Sequence, residues 1–256
     1  MSHAFDEIAE AYDAVRPGYP EELFDDVARL ARLGPGSHVL EVGCGTGQAT
    51  LGFARRGLRV HCVEPGGSLL EVARRKLKGY PVEFSLSRFE DWPLKEAYFD
   101  LAASGTAWHW VDPEAGYRKL SAALKPRCFI ALFWNLHPTP YTGFFEEVQE
   151  VYRRRVPEWS NPDVKPTTDQ RISEIGEQIR SSGFFEEPTV RRYVWQRTYS
   201  SDDYVKLMDT YSDHRALPED TRRCLYLEVK RLADERFGGS VERPYLTALF
   251  VARKRL

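Results

Sequence analysis

Apolar positions along the chain come in short continuous runs, separated by longer stretches in which polar and apolar side chains mix at helical spacing. Runs near Val39, Val60, Val82, Leu101 and Phe129 read as strands, and the stretches between them as helices. Alternation of this kind calls for parallel pairing through right-handed crossovers, so the expected fold class is α/β with helices on both faces of the sheet. Two further β-rich runs, Pro188–Thr198 and Pro244–Ala252, come late in the chain. Residues 142–183 and 200–239 exceed what a minimal sheet of this type needs, and both read as helical. Ser201-Asp-Asp-Tyr204 predicts an N-cap, and Gly183 predicts the stop of a helix that begins after Thr168. These two insertions are expected to form a small helical cap. The longest apolar run, Cys128–Trp134, is far too short to cross a bilayer and reads as a buried strand.

With 256 residues there is material for one large α/β domain with an elaboration, so residues 1–256 are expected to form a single domain. The net charge of −2 excludes a strongly basic nucleic-acid binder. Arg74-Arg75-Lys76 and Arg153-Arg154-Arg155 lie in helical patterns and read as solvated faces. Cys44, Cys62, Cys128 and Cys224 have neither metal nor redox spacing, which fits buried thiols in a reducing cytoplasm and predicts no metal site. The first twenty residues lack the apolar core of a secretory signal, so a cytoplasmic location without membrane attachment is expected.

Candidate chemistry starts at Val39-Leu-Glu-Val-Gly-Cys-Gly-Thr-Gly-Gln48, an apolar strand running into a carboxylate and three alternating glycines. Such a turn lets a ligand approach the main chain closely. A dinucleotide fingerprint beginning at Gly43 and Gly45 would need a third small residue where Gln48 stands. Glu41 also points an anion toward the place a pyrophosphate would occupy, and an anion there favours a cationic ligand. S-adenosylmethionine, with a sulfonium, an α-amino group and no phosphate, suits this arrangement better than NAD.

Here the chain resembles the class I S-adenosylmethionine-dependent methyltransferases, whose first motif is acidic-x-Gly-x-Gly-x-Gly; Glu41, Gly43, Gly45 and Gly47 match it position for position. The resemblance implies a Rossmann-like seven-stranded sheet of order 3-2-1-4-5-7-6 with strand 7 antiparallel. It places Cys44 and Gln48 with the glycine turn against the cofactor, and Glu64 with Pro65 after the second strand, where a carboxylate accepts from the ribose hydroxyls. In Phe84–Pro93 it sets Phe89 and Glu90 beside the adenine, with Asp91 as the rival polar residue. In Phe99–Pro113 it sets Ser104 and Gly105 near the amino-acid moiety, and Trp108, His109 and Trp110 toward the acceptor. The Asn/Asp-Pro-Pro-Tyr/Phe motif of DNA amino-methyltransferases is absent, which argues against base amines as acceptors.

Residues 1–20 resemble the lid segment of small-molecule methyltransferases, Tyr-Asp-x-x-Arg-Pro-x-Tyr-Pro, with Arg16 expected on the cofactor carboxylate and Tyr12 beside it. Trp134, next to Asn135, is a candidate for the pocket wall, as are Tyr211 and His214 in the second insertion. One departure from the family pattern is Lys125-Pro-Arg-Cys128, where Lys-Pro-Gly-Gly is common. The expected activity is methyl transfer from S-adenosylmethionine to a small-molecule acceptor through oxygen, nitrogen or a carboxylate. His109 is the candidate base if the acceptor is a hydroxyl, and a hydrogen-bond donor or wall if it is a carboxylate. The alternatives are a silent S-adenosylmethionine-binding regulatory protein and, less favoured by Glu41 and Gln48, a nicotinamide-dependent oxidoreductase.

Overall fold

The computed structural model describes residues 8–159 and 166–255. In chain order the elements are α1 (Ala9–Val15), α2 (Glu21–Leu30), β1 (His38–Val42), α3 (Gln48–Arg55), β2 (Arg59–Glu64), α4 (Gly67–Lys76), β3 (Val82–Leu86), β4 (Phe99–Gly105), α5 (Pro113–Ala123) and β5 (Leu124–Leu136). They continue with α6 (Phe144–Arg155), α7 (Thr168–Ser181), β6 (Thr189–Ser200), α8 (Ser201–Asp209), α9 (Ser212–Arg215), α10 (Glu219–Arg236) and β7 (Ser240–Arg253). Among the described residues no helix is long and apolar enough to cross a membrane. Residues 1–7 of the expected lid, and residues 160–165 of the first insertion, lie outside the described residues.

The seven strands form one sheet in the order β3-β2-β1-β4-β5-β7-β6, with β7 antiparallel to both neighbours. Alternate side chains along each strand feed opposite faces. Leu40, Val42, Ala102, Leu132 and Phe250 pack with Tyr117 and Leu120 of α5 and Ile172 and Ile179 of α7. Val39, Val60, Leu101, Phe133 and Leu249 pack with Leu23 and Phe24 of α2 and Phe53 of α3. The sheet is therefore sandwiched between helices, and the parallel strands end on a common edge where their loops converge.

β5 stops pairing with β7 at Leu136↔Leu246, whereas β6 and β7 stay paired on to Ser200↔Ser240. The two strands thus run past the sheet as a ribbon. Its tip leads into α8, α9 and α10, which pack with α6 in a third apolar cluster containing Phe144, Val148, Leu207, Leu225 and Val241. The sequence reading started the last strand at Pro244; the strand begins at Ser240 because β7 has a neighbour on only one side there, and a proline is tolerated on such an edge. The N-cap of α8 is Ser200, whose hydroxyl accepts from the Asp203 N–H, rather than Ser201.

The first insertion divides. α6 joins the cap, but α7, capped by Thr167 and Gln170, lays Ile172 and Ile179 on the sheet. Gly183 follows that helix at φ 79°, as a left-handed stop should. Within β5, where its register with β4 shifts, the turn keeps its shape without glycine: Arg127 takes φ 62°, and its carbonyl accepts from Arg253 Nε at 3.2 Å.

Candidate functional site

The strand-end loops enclose a cavity of about 690 Å³ whose floor is the glycine turn. Gly43 and Gly45 both have positive φ but serve different ends. A Cβ on Gly43 would lie 2.4 Å from Ala107 Cβ, so this glycine lets two strand-end loops touch. A Cβ on Gly45 would meet only Tyr12 Cε1, at 4.0 Å, and would otherwise project into open space. Gly45 therefore leaves an unfilled cradle against the main chain.

Two carboxylates flank that cradle. Glu64, at the end of β2, accepts from Gly45 N at 3.0 Å through one oxygen and from Gly66 N at 2.9 Å through the other. It staples the glycine turn to the β2–α4 turn. Glu41 lines the cavity from β1, yet is 1 % exposed and has an oxygen, Oε2, with no hydrogen-bond partner. Burial pushes its carboxyl up to about 7, with the charge of Glu64 adding to the shift against the Thr50 hydroxyl. A buried carboxylate with an orphaned oxygen beside an open cradle fits a cationic ligand. Cys44, Gln48 and Pro65 also line this end.

Phe89 forms a wall nearby, packed on Trp92 and Trp108. Arg88 and Glu90 line the cavity with it; the Glu90 carboxylate accepts from Asp112 N at 3.4 Å, and its carbonyl accepts from Lys119 Nζ at 2.8 Å. Asp91 is exposed and lines no part of the cavity. Gly105 lies on the cavity, but Ser104 does not: fully buried, it donates to the Val42 carbonyl at 2.8 Å and ties β4 to β1.

Four expected residues need correction or refinement. Trp108 is a core residue, 2 % exposed and packed on Phe89 and Tyr117, because its turn buries the first ring and leaves His109 and Trp110 on the cavity. Trp134 stands behind His109 and donates from Nε1 to His109 Nδ1 at 3.4 Å. His214 is buried in the cap between the Tyr152 hydroxyl at 2.9 Å and the Asp213 carboxylate at 2.8 Å, so it holds α9 in place while Tyr211 reaches the cavity. Ser104 is the fourth, as described. Burial, reinforced by Arg171 and Arg16, holds the His109 ring below its ordinary pKa.

Sequence reasoning assigned no role to Tyr19, Thr106, Arg171, Arg243 and Tyr245, all of which line the cavity. Arg243 and Tyr245 alternate on β7 in the ribbon beyond the sheet, a placement invisible once the strand is started at Pro244. Thr106 holds φ 55°, unusual for a β-branched residue, and its Oγ1 lies 2.9 Å from the Tyr19 hydroxyl. The period-two pattern from Val241 to Thr247 was the one signal that could have revealed the ribbon residues.

α1 crosses the cavity as a strap. Gln48, the residue that breaks the dinucleotide pattern, donates to Asp13 at 3.2 Å, and Lys76 pairs with the same carboxylate. At the other end, the Arg16 guanidinium sits between the rings of Tyr12 and Tyr211, 4.8 and 4.7 Å from their centroids, and donates to the Thr210 carbonyl of the cap. Arg197 of the ribbon donates to the carbonyls of Ala14 and Arg16 at the strap's C-terminal end.

Comparison with known proteins agrees with this geometry. Residues 40–132 match the model of the methyltransferase domain. An uncharacterized methyltransferase of Mycobacterium bovis is 32% identical over 154 residues, 60% of this chain and 60% of that protein. The malonyl-[acyl-carrier protein] O-methyltransferase of Serratia marcescens is 27% identical over 155 residues, 60% of this chain and 58% of that one. The chain thus aligns with only about 60% of the length of these curated relatives. A solved structure from Anaeromyxobacter dehalogenans, provisionally named a type II methyltransferase, has 26% identity and a TM-score of 0.60, covering 93% of this chain and 96% of that one. The matched region carries the glycine turn and both flanking carboxylates, the strand order is the one the family resemblance implies, and residues 40–132 are similar to the methyltransferase domain, which supports a class I S-adenosylmethionine-dependent methyltransferase.

Proposed function

We propose that the protein transfers a methyl group from S-adenosylmethionine to a small-molecule acceptor held between the glycine turn and the cap. The observation that carries this reading is the open Gly45 cradle set between the Glu64 carboxylate, which accepts from the Gly45 and Gly66 N–H groups, and Glu41, with its buried orphan oxygen. When bound, the donor supplies an electrophilic methyl group on a sulfonium with a neutral thioether as leaving group. Glu64 accepts from vicinal ribose hydroxyls, Phe89 offers a ring edge or face to the base, and Glu41 compensates positive charge at the amino-acid end. The work of the remaining residues is positioning and exclusion of water. The strap, pinned at Asp13 and Arg16, covers the donor, and Tyr211, Arg243 and Tyr245 close the acceptor side.

An oxygen acceptor is supported by the name of the Serratia relative, an O-methyltransferase. The test is calorimetric. S-adenosylhomocysteine is expected to bind the full chain with one-to-one stoichiometry, and Gly45→Ala to weaken it by roughly tenfold or more, since the added methyl fills the cradle at a left-handed penalty of only about 1–2 kcal/mol. Unchanged affinity in that variant removes the cradle from the site.

A further inference from the structure

We propose that the acceptor is a small carboxylic acid, bound as its anion against Arg243, and that the product is its methyl ester. The inference rests on the reading of the donor site above and concerns the other half of the cavity.

Charge divides along the cavity. Glu41, Glu64 and Glu90, the last paired with Arg88, lie on the side of the glycine turn, whereas Arg16, Arg171 and Arg243, together with Asp213, line the side of the cap. Arg16 is committed to the strap and the cap. Among the described residues, neither Arg171 nor Arg243 has an ion-pair partner. Arg243 is the more telling of the two: its Nε is shielded from solvent with no acceptor, and its Nη1 reaches only the Tyr204 hydroxyl at 3.3 Å. The rings of Phe145, Tyr211 and Tyr245 surround it at 5.5, 5.8 and 5.1 Å. Ring faces attract a cation, but they satisfy none of its N–H donors. A half-buried guanidinium with no carboxylate partner is left with unmet donors, and its planar fork matches a carboxylate ligand. The strand that carries it leaves the sheet at this point and so presents it to the cavity.

The second observation is that, among the described residues, the groups facing the acceptor space are poorly set up as bases. His109 Nδ1 accepts from the Trp134 indole, so the neutral ring carries its proton on Nε2 and acts as a donor. The Tyr19 and Tyr245 phenols are pushed up by burial. Burial would also raise Asp213, but the ring and main chain of His214 outweigh it and hold that carboxylate low. An alcohol or ammonium acceptor has to lose a proton. A carboxylate does not: its oxygen forms the new O–CH3 bond as the S–CH3 bond breaks, sulfur keeps the electron pair, and the negative and positive charges cancel without proton transfer.

The experiment uses the full chain, tritiated-methyl S-adenosylmethionine, and mono-, di- and tricarboxylic acids offered one at a time beside matching alcohols and primary amines. An ester releases its label as methanol in mild alkali, and that release is expected with at least one acid. Arg243→Gln is expected to raise the acceptor KM by roughly tenfold or more, the loss of a charged hydrogen-bonded contact, with S-adenosylhomocysteine affinity unchanged and partial recovery in Arg243→Lys. Arg171→Ala, at an exposed position, raises KM in the same direction without endangering the fold. His109→Gln can still accept from Trp134 and donate onward, so kcat stays within about tenfold, whereas loss of a general base costs about 10²- to 10⁴-fold. Alkali-stable label, no ester from any acid, an unchanged KM in both arginine variants, or a collapse of kcat in His109→Gln overturns the assignment. Failure of the wild-type chain to bind S-adenosylhomocysteine is a different outcome and overturns the donor reading instead.

Discussion

Glu41 sets stability against function within one side chain. Its folded pKa of about 7 lies above its ordinary value of 4.5, so the protonated form is the one the fold favours. The sign follows from linkage: the stability it contributes is fully present below about 4.5 and is lost as pH rises through about 7. Glu41→Gln is therefore expected to be more stable than the parent at pH 8, by up to roughly 3 kcal/mol, and to show little difference at pH 4.5. Urea melts at the two pH values measure this, and a pH-independent difference contradicts it. Glu64 has a different role, because its carboxylate accepts from two main-chain N–H groups and ties two turns together. Glu64→Ala is expected to weaken S-adenosylhomocysteine by about 1.5–3 kcal/mol and to lower the melting temperature as well, since the glycine turn loses its staple. Affinity unchanged in calorimetry removes Glu64 from the donor site.

At the scale of elements, the strap and the turn at Arg127 in the first part of β5 each admit a direct test. α1 is short, and a helix of that length is marginal alone, so tertiary ties hold it. Asp13 gathers two of them, from Gln48 and Lys76. Asp13→Ala is expected to leave global stability nearly unchanged and to cost about 1 kcal/mol in donor affinity, read by calorimetry beside a thermal melt. A large loss of global stability with intact affinity would mean that α1 is a structural brace and not a strap over the site. Arg127 holds a left-handed angle that a side chain pays for, and it stands where a glycine is common in the family. Arg127→Gly is expected to stabilise the fold by up to about 1 kcal/mol, the strain relieved less the added freedom of the unfolded chain. A lower melting temperature contradicts this.

Across the whole molecule, what was legible in the sequence is what local chemistry decides. Apolar runs located the first five strands, and the spacing of Glu41, Gly43, Gly45 and Gly47 located the cavity floor, because a strand followed by a glycine turn is specified by adjacent residues. Where a helix docks is not specified that way. Ile172 and Ile179 mark an apolar stripe on α7, yet only the assembled sheet decides that the stripe lies on β7 and not in the cap. Arg243 and Tyr245 escaped for a related reason: their placement depends on β5 ending before β7 does. Ser104 and His214 carry polar groups suited to a ligand, but the Val42 carbonyl and the Tyr152 hydroxyl claim them once distant segments meet. The outcome is one cavity with Glu41, Glu64 and Glu90 toward the glycine turn and Arg16, Arg171 and Arg243 toward the cap, and the proposed reading makes the first side the donor end and the second the acceptor end. The central claim is that its glycine turn receives S-adenosylmethionine, and separate calorimetric titrations of the full chain with S-adenosylhomocysteine and with NADH test it most directly. The account predicts saturable one-to-one binding of S-adenosylhomocysteine and no heat from NADH; binding of NADH with no response to S-adenosylhomocysteine would contradict it.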